Sequence, residues 1–383
     1  MSSGFYSLDQ FAAMFADPVR MAAYQSAIEA SVRPGDAVLD LGCGPGIFSL
    51  LACKAGARIV YAVDLNGVIE FGRHLAHANG FGDRVHFLLG DSRQLNLPER
   101  VQVIVSDVRG VLPLYSSAVA TLEDARARFL AEGGHLLPCR DTLICAVVEA
   151  PEIHQRLVEV WKAVPNLELS SGLPLVLNGM YRQRFKPEQV ISEPCRWHTL
   201  DYDSGARVPA NAKFQLPIVR RGTGHGFGIW FETQLTDGIG YSTEPKVGDT
   251  VYGHIFLPWL EPVPMNEGED CSVDLRAHLV GNDYIWQWQT AFPAAPGRPS
   301  IHFRQSNFYS SVLPPSVLKK HAAEFVPVLS EAGQAERWIF QAMDGCRRLE
   351  EIASEAAQRF PQVFRRTEDA FNRTADIAEK FAR

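Results

Sequence analysis

The sequence predicts an α/β chain with a parallel sheet covered by helices on both faces, then an antiparallel β-barrel domain, then a helical module at the carboxyl end. Three observations carry this. Residues 34–145 alternate apolar, strand-like runs with helical ones, the pattern of strand–helix–strand crossovers. Residues 212–290 change to short alternating aromatic runs, as in Phe227 to Thr233 and Tyr284 to Trp288, with turn residues between them. Beyond residue 313 the chain reads as helical and carries charges of both signs. At 383 residues it exceeds one ordinary core. The expected division is a helical lid (1–33), a ligand-binding sheet domain (34–148), a barrel domain (149–304) with an arm at about 168–190, and the carboxy-terminal module (305–383).

In chain order, Phe11, Phe15, Val19, Tyr24 and Ile28 recur at helical spacing within residues 8–30. Val38, Leu39 and Leu41 form a short buried strand that runs into Gly42-Cys43-Gly44-Pro45-Gly46, and Ile47 to Ala55 read as a helix. Glycines here let the backbone turn tightly and approach a ligand, and the helix N-terminus favours a negative group. Arg58 to Val63 form a second strand ending in Asp64, a carboxylate placed to accept both hydroxyls of a ribose. Val85 to Leu89 end in Gly90-Asp91, where a second carboxylate is placed to accept from an adenine amino group, and Val101 to Val105 end in Ser106-Asp107. The plainer reading is that Asp64 and Asp91 cap the helices that follow. Their coincidence with the glycine loop favours a nucleoside site.

Phe129-Leu130, Gly133-Gly134 and His135 to Pro138 read as helix end, turn and returning strand, and Thr142 to Glu149 as the next strand. A short amphipathic helix at 153–163 precedes an irregular stretch reaching residue 195. Ala291 to Ser300, with three prolines and a glycine, reads as a linker. Near the end, an apolar helix stops at Asp344-Gly345, a second begins near Leu349, and 366–382 supply a third.

Composition narrows the function. The net charge of −7 gives no long-range attraction to nucleic acid or an anionic membrane. Seven scattered cysteines without a Cys-x-x-Cys pair indicate a reducing compartment and speak against both a disulfide framework and a zinc site, and no metal is expected. No secretion signal is visible, and no apolar run approaches the ~20 residues that span a bilayer. A cytoplasmic enzyme is the expectation.

The Gly-x-Gly-x-Gly spacing with Asp40 just before the turn resembles the first motif of class I S-adenosylmethionine-dependent methyltransferases, whose cofactor domain is Rossmann-like. The resemblance implies S-adenosylmethionine as cofactor. Around it stand Asp40, the loop residues Gly42, Cys43, Gly44 and Gly46, Asp64 with Leu65, Asp91 with Ser92, and Ser106. With a barrel following, the chain resembles the protein arginine methyltransferases in three segments: Asp17 to Ile28, Ala125 to Pro138, and Gly240-Tyr241-Ser242-Thr243-Glu244-Pro245 ahead of a strand from Val251 to Leu257. This implies that Arg20 grips the cofactor carboxylate, as a bidentate guanidinium suits, and that the arm makes a homodimer. The bland alternative for Arg20 is a surface salt bridge.

Departures from that family bear on the acceptor. Asp107 keeps the first carboxylate of the family's acidic loop, Ser116 replaces the second, and Arg109 adds a cation; Thr250-Val251-Tyr252 lacks the family's histidine. One carboxylate beside a new cation is expected to weaken any preference for a guanidinium. The expected acceptor is therefore an N or O nucleophile of a small metabolite or maturing peptide, with protein arginine as the alternative and a non-catalytic binding protein as a second. Asp107 is the candidate base or anchor and His254 a second base, against a structural role in the barrel. Tyr115, Ser116 and Tyr252 are expected to line the acceptor pocket. The run Arg337 to Ala353 faintly resembles the winged-helix peptide chaperone of pyrroloquinoline quinone biosynthesis, which implies peptide recognition; a plain helical bundle is the alternative.

Overall fold

Ser7 opens the first helix, α1 (Leu8–Phe15), through a reciprocal cap with Gln10. Asp17 opens α2 (Pro18–Ser31): its carboxylate accepts from the Arg20 amide, and Pro18 sits in the first turn, where a missing N–H leaves no bond unmade. In this computed structural model the residues described are 6–382 except 162, 205–208, 249, 282, 296 and 313. The first five residues of the expected lid, one residue of the expected linker and residue 313 lie outside them. The chain divides into two units, residues 1–311 and 312–383.

The parallel half of the first unit is built from β1 (Ala37–Leu41), α3 (Ile47–Ala55), β2 (Ile59–Asp64), α4 (Ile69–Ala78), β3 (Val85–Leu89), β4 (Val101–Ser106), α5 (Ala118–Phe129) and β5 (Leu130–Leu137). Strand order is β3-β2-β1-β4-β5. β1 pairs in parallel with β2 on one side and β4 on the other, so the order reverses there and a crevice opens beyond the strands' carboxyl ends. β1 is buried along its whole length, as a strand covered on both faces must be. Gly133-Gly134, expected as a turn, instead lie inside the continuous strand β5. Gly133 has a φ of 73° and the register against β4 slips beside it, so glycine supplies an irregularity rather than a reversal.

The antiparallel half comprises β6 (Arg140–Val148), α6 (Pro151–Glu159), α7 (Leu173–Leu177), β7 (Tyr181–Gln183), β8 (Cys195–Asp201), β9 (Ala210–Pro217), β10 (Gly222–Thr236), β11 (Ile239–Ser242), β12 (His254–Met265), β13 (Asp270–Val280), β14 (Asp283–Phe292) and β15 (Ile301–Ser306). It is hydrogen-bonded as two sheets, β7-β12-β10-β6-β8 with β11 on β10, and β15-β14-β13-β9. Trp259, Trp286 and Trp288, all fully buried, belong to a core that draws on both sheets. Two boundaries differ from expectation. β12 begins at His254 rather than Val251, because Gly253 turns the chain with a φ of 69°. Of residues 291–300, read as a linker, the first two belong to β14, and the described residues of 293–300 join β14 to its antiparallel neighbour β15, so this is a loop within one sheet.

The second unit holds α8 (Pro315–Lys320), α9 (Glu331–Ala342), α10 (Leu349–Arg359) and α11 (Thr367–Phe381). Ser330 caps α9, and Ala335, Ile339, Ile352, Ala356 and Ile377 enclose a separate core. Among its described residues there is no strand, and hence no hairpin of a winged helix.

Candidate functional site

The glycine loop is tied down by the strand beside it. The Gly42 and Cys43 amides donate to the Val63 carbonyl at 2.8 and 3.1 Å, and the Gly44 amide donates to Asp64 Oδ2 at 2.7 Å. Asp64 Oδ1 accepts from the Asn66 amide at 2.8 Å, so this carboxylate organises the loop rather than capping α4. Each oxygen keeps a lone pair for a further donor. A Cβ on Gly44 would stand 2.5 Å from the Phe11 ring, which shows α1 lying directly on the loop.

Asp40 closes the N-terminus of α3 from the neighbouring strand. Its Oδ2 accepts from the Ser49 amide at 2.9 Å and the Ser49 hydroxyl at 2.7 Å. Its other oxygen, Oδ1, is buried without a partner among the described residues. Burial, only partly offset by the Ser49 bonds, pushes this carboxyl up to about 7. A buried acceptor lacking a donor beside a glycine loop fits a ligand that brings an ammonium group. Elsewhere on the crevice, Asp91 is paired bidentately with Arg93, whose hydrogen bonds hold it below its ordinary range. Ser92 is buried and gives its carbonyl to Arg128 at 2.6 Å, while Leu65 is exposed. Ser106 Oγ donates to the Leu41 carbonyl at 2.9 Å, stitching β4 to β1.

A second cluster surrounds Asp107, which follows β4. Arg20 Nε donates to its Oδ2 at 2.6 Å and the Tyr252 hydroxyl donates to the same oxygen at 2.7 Å. Arg109 Nη2 donates to Oδ1 at 3.0 Å. The Arg20 guanidinium also lies over Phe48, 4.8 Å from the ring centre. Burial alone would raise the Asp107 carboxyl, but Arg20 and Arg109 outweigh it and hold the group below its ordinary value. Asp107 is thus a fixed anion, suited to anchoring a cation and poorly suited to the base role expected of it.

Arg109 does not project as a loose cation. Its side chain is fully buried, with Nη1 donating to Asp141 Oδ1 at 2.7 Å and Thr233 Oγ1 at 2.6 Å. Nη2 shares its two hydrogens among three acceptors, the Tyr24 and Tyr241 hydroxyls at 2.7 and 2.9 Å and Asp107. Tyr202 donates to the second oxygen of Asp141 at 2.8 Å. Four buried charges therefore alternate in sign: Arg20, Asp107, Arg109, Asp141.

His254 is not brought to this cluster. Nδ1 accepts from the Phe185 amide at 2.9 Å and Nε2 faces the Thr243 carbonyl at 2.8 Å, which assigns the proton to Nε2. That corrects its expected role as a base: the ring ties β12 to two loops. Tyr115 is exposed and Ser116 half-buried, and among the described residues no hydrogen bond links either to Asp107. The sequence reading missed Asp141, Tyr24, Thr233 and Tyr241 as members of the cluster. The one signal was Asp141 itself, an acid between strand residues at a position that alternation turns inward.

Comparison with known proteins shows what the chain is similar to. Residues 24–137 match the family model described as ribosomal protein L11 methyltransferase, and residues 140–313 the one described as the arginine methyltransferase oligomerization subdomain. A probable protein arginine N-methyltransferase 6 of Arabidopsis thaliana is 30% identical over 236 residues, 58% of this chain and 53% of that protein. The chain thus spans about half the length of that relative. Protein arginine N-methyltransferase 1 of Dictyostelium discoideum is 26% identical over 70% of this chain and 83% of its own length. In fold, the chain is similar to a Trypanosoma brucei PRMT1 enzyme–prozyme complex with AdoHcy (TM-score 0.71, 22% identity, 77% of this chain and 97% of that one). An Arabidopsis thaliana protein arginine methyltransferase 10 gives a TM-score of 0.68 at 22% identity over 78% and 97% of the two chains.

Proposed function

We propose that this chain, which resembles the protein arginine methyltransferases in sequence and fold, binds S-adenosylmethionine and methylates a nitrogen of an arginine side chain in a protein or peptide. The supporting observation is the alternation of buried charge that leaves Asp107 an anion at the end of β4, next to the crevice of the glycine loop. The expectation of a small neutral acceptor rested on Arg109 repelling a guanidinium and on Ser116 in place of a carboxylate. Arg109 is matched by Asp141, so its charge is already answered inside the protein, and the relatives are named for arginine. The first objection to a guanidinium falls.

Each holding residue has a task its chemistry fits. Arg20 has five N–H donors, enough to take a ligand carboxylate besides Asp107. Asp40 offers its unpartnered oxygen to an ammonium group, Asp64 accepts ribose hydroxyls, and Asp91 with Ser92 and Leu65 frames the adenine side. When bound, the cofactor supplies an activated methyl group on a sulfonium sulfur, so alignment of the acceptor nitrogen is most of what the protein must add. Asp107 orients that nitrogen through the acceptor's positive charge, and Tyr252 fixes the carboxylate rotamer. Two copies assemble through the region of α6 and α7, where Val160, Val164, Leu167 and Leu175 are exposed apolar side chains.

Calorimetry with S-adenosylhomocysteine, followed by radiolabelled methyl transfer to arginine-bearing peptides and amino-acid analysis, tests the reading. Binding and recovered methylarginine support it. Absence of binding removes the enzyme assignment, and binding with label on another side chain removes the arginine part alone.

A further inference from the structure

We infer that Arg109 and Asp141 are positioning residues that hold both oxygens of Asp107, one directly and one through a relay of two tyrosine hydroxyls. The inference rests on the methyl-transfer reading for the use made of Asp107, and on geometry for everything else.

The direct arm is Arg109 Nη2 to Asp107 Oδ1 at 3.0 Å. The relay runs from the same Nη2 to the Tyr241 hydroxyl at 2.9 Å, from Tyr241 to the Tyr252 hydroxyl at 2.6 Å, and from Tyr252 to Asp107 Oδ2 at 2.7 Å. Its direction is forced. An ionised carboxylate only accepts, so Tyr252 donates to Asp107; an arginine only donates, so Tyr241 accepts from Arg109 and passes its own proton toward Tyr252. The two ring planes are nearly parallel, 16° apart, with centres 5.9 Å apart. The result is a closed ring that begins and ends on one guanidinium nitrogen and fixes the carboxylate plane.

Asp141 is what keeps that guanidinium in place. Arg109 is fully buried and its Nε has no partner among the described residues, so without a matching charge it would be drawn out toward water. Asp141 Oδ1 and Thr233 Oγ1 hold Nη1 from β6 and β10, while Tyr202 occupies the other Asp141 oxygen. The charged and titratable groups that face Asp107 are Arg20 and Tyr24 from α2, Arg109 from its own loop, Tyr241 from β11 and Tyr252 before β12, while Asp141 from β6 and Tyr202 after β8 stand behind Arg109. Cooperative chains of this kind stand or fall together in a low-dielectric setting.

The test uses the full chain labelled with carboxyl-13C aspartate, with the Asp107 signal assigned by its loss in D107N. Near pH 4 an ordinary aspartate is about half protonated. In the wild type Asp107 reads as a carboxylate there; in Y241F, which breaks only the relay, and in R109M/D141A, which removes both charges together, it shifts toward the protonated form. The kcat for methyl transfer falls about tenfold in Y241F, while the KM for S-adenosylmethionine changes less than about threefold, since the Tyr241 hydroxyl bonds to Arg109 and Tyr252 and to no residue assigned to the cofactor. An Asp107 signal unchanged in Y241F overturns the inference, and that variant decides even if the double one does not fold. A wild-type chain that neither binds S-adenosylhomocysteine nor transfers methyl refutes the enzyme reading instead, and leaves the carboxyl signal to judge the relay.

Discussion

At the scale of single residues, Asp40 holds two opposed demands in one side chain. Burial raises its carboxyl to about 7 from an ordinary value near 4, so the folded protein holds a proton there that the unfolded chain has already released. The sign follows: between about pH 4 and pH 7 the native state binds more protons, and unliganded stability falls as pH rises through that window. On the proposed role of Asp40 beside a ligand ammonium, which favours the ionised form, cofactor affinity is expected to rise through about pH 7. We therefore expect D40N to raise the unliganded melting temperature at neutral pH, by roughly 1 kcal/mol or more of stability, while weakening S-adenosylhomocysteine at least about tenfold and flattening its pH dependence. Thermal scans and calorimetry across pH check both arms. The strand-end positions of Asp40, Asp64 and Asp91 were legible in the sequence because glycine spacing and strand ends are local patterns. Asp141 was not, since its partner Arg109 lies 32 residues away and no periodicity links them.

At the scale of elements, α1 and the start of α2 hold the loop from outside. Gly44 has a φ of 52° and would drive a Cβ into Phe11, so G44A adds left-handed strain to a collision. Expected is a loss of cofactor binding of about 1–2 kcal/mol, part of which F11A/G44A restores; equal binding in both variants would show that the helix does not press on the loop. Asp17 accepts from the Arg20 amide through one oxygen and from the Val251 amide at 2.8 Å through the other, so a single cap fastens α2 to the turn before β12. D17A should cost about 1 kcal/mol in urea unfolding and raise the KM for the acceptor more than for the cofactor. The helical spacing in residues 8–30 announced these helices but not that they are two, because the break at Ala16 and Asp17 is a cap rather than a change of hydrophobic pattern.

At the scale of the whole molecule, the last 72 residues enclose their own core, apart from the one that carries the crevice. A chain ending at Ser311 should fold, melt cooperatively, and bind S-adenosylhomocysteine within about threefold of the full chain. Loss of the cooperative transition would contradict this. No helix among the described residues is long and apolar enough to cross a membrane. Within the first unit the barrel's aromatic alternation was visible in the sequence, whereas its division into two ladders depends on pairings far apart in the chain. Two family models divide the unit into cassettes that meet between residues 137 and 140. Electrically they are welded: Arg109 stands in one cassette and Asp141 in the other. Grafting a foreign second cassette onto this first one would strand a guanidinium in the dry interior unless an acid arrived with it, so interchange between relatives must carry that pair as a unit.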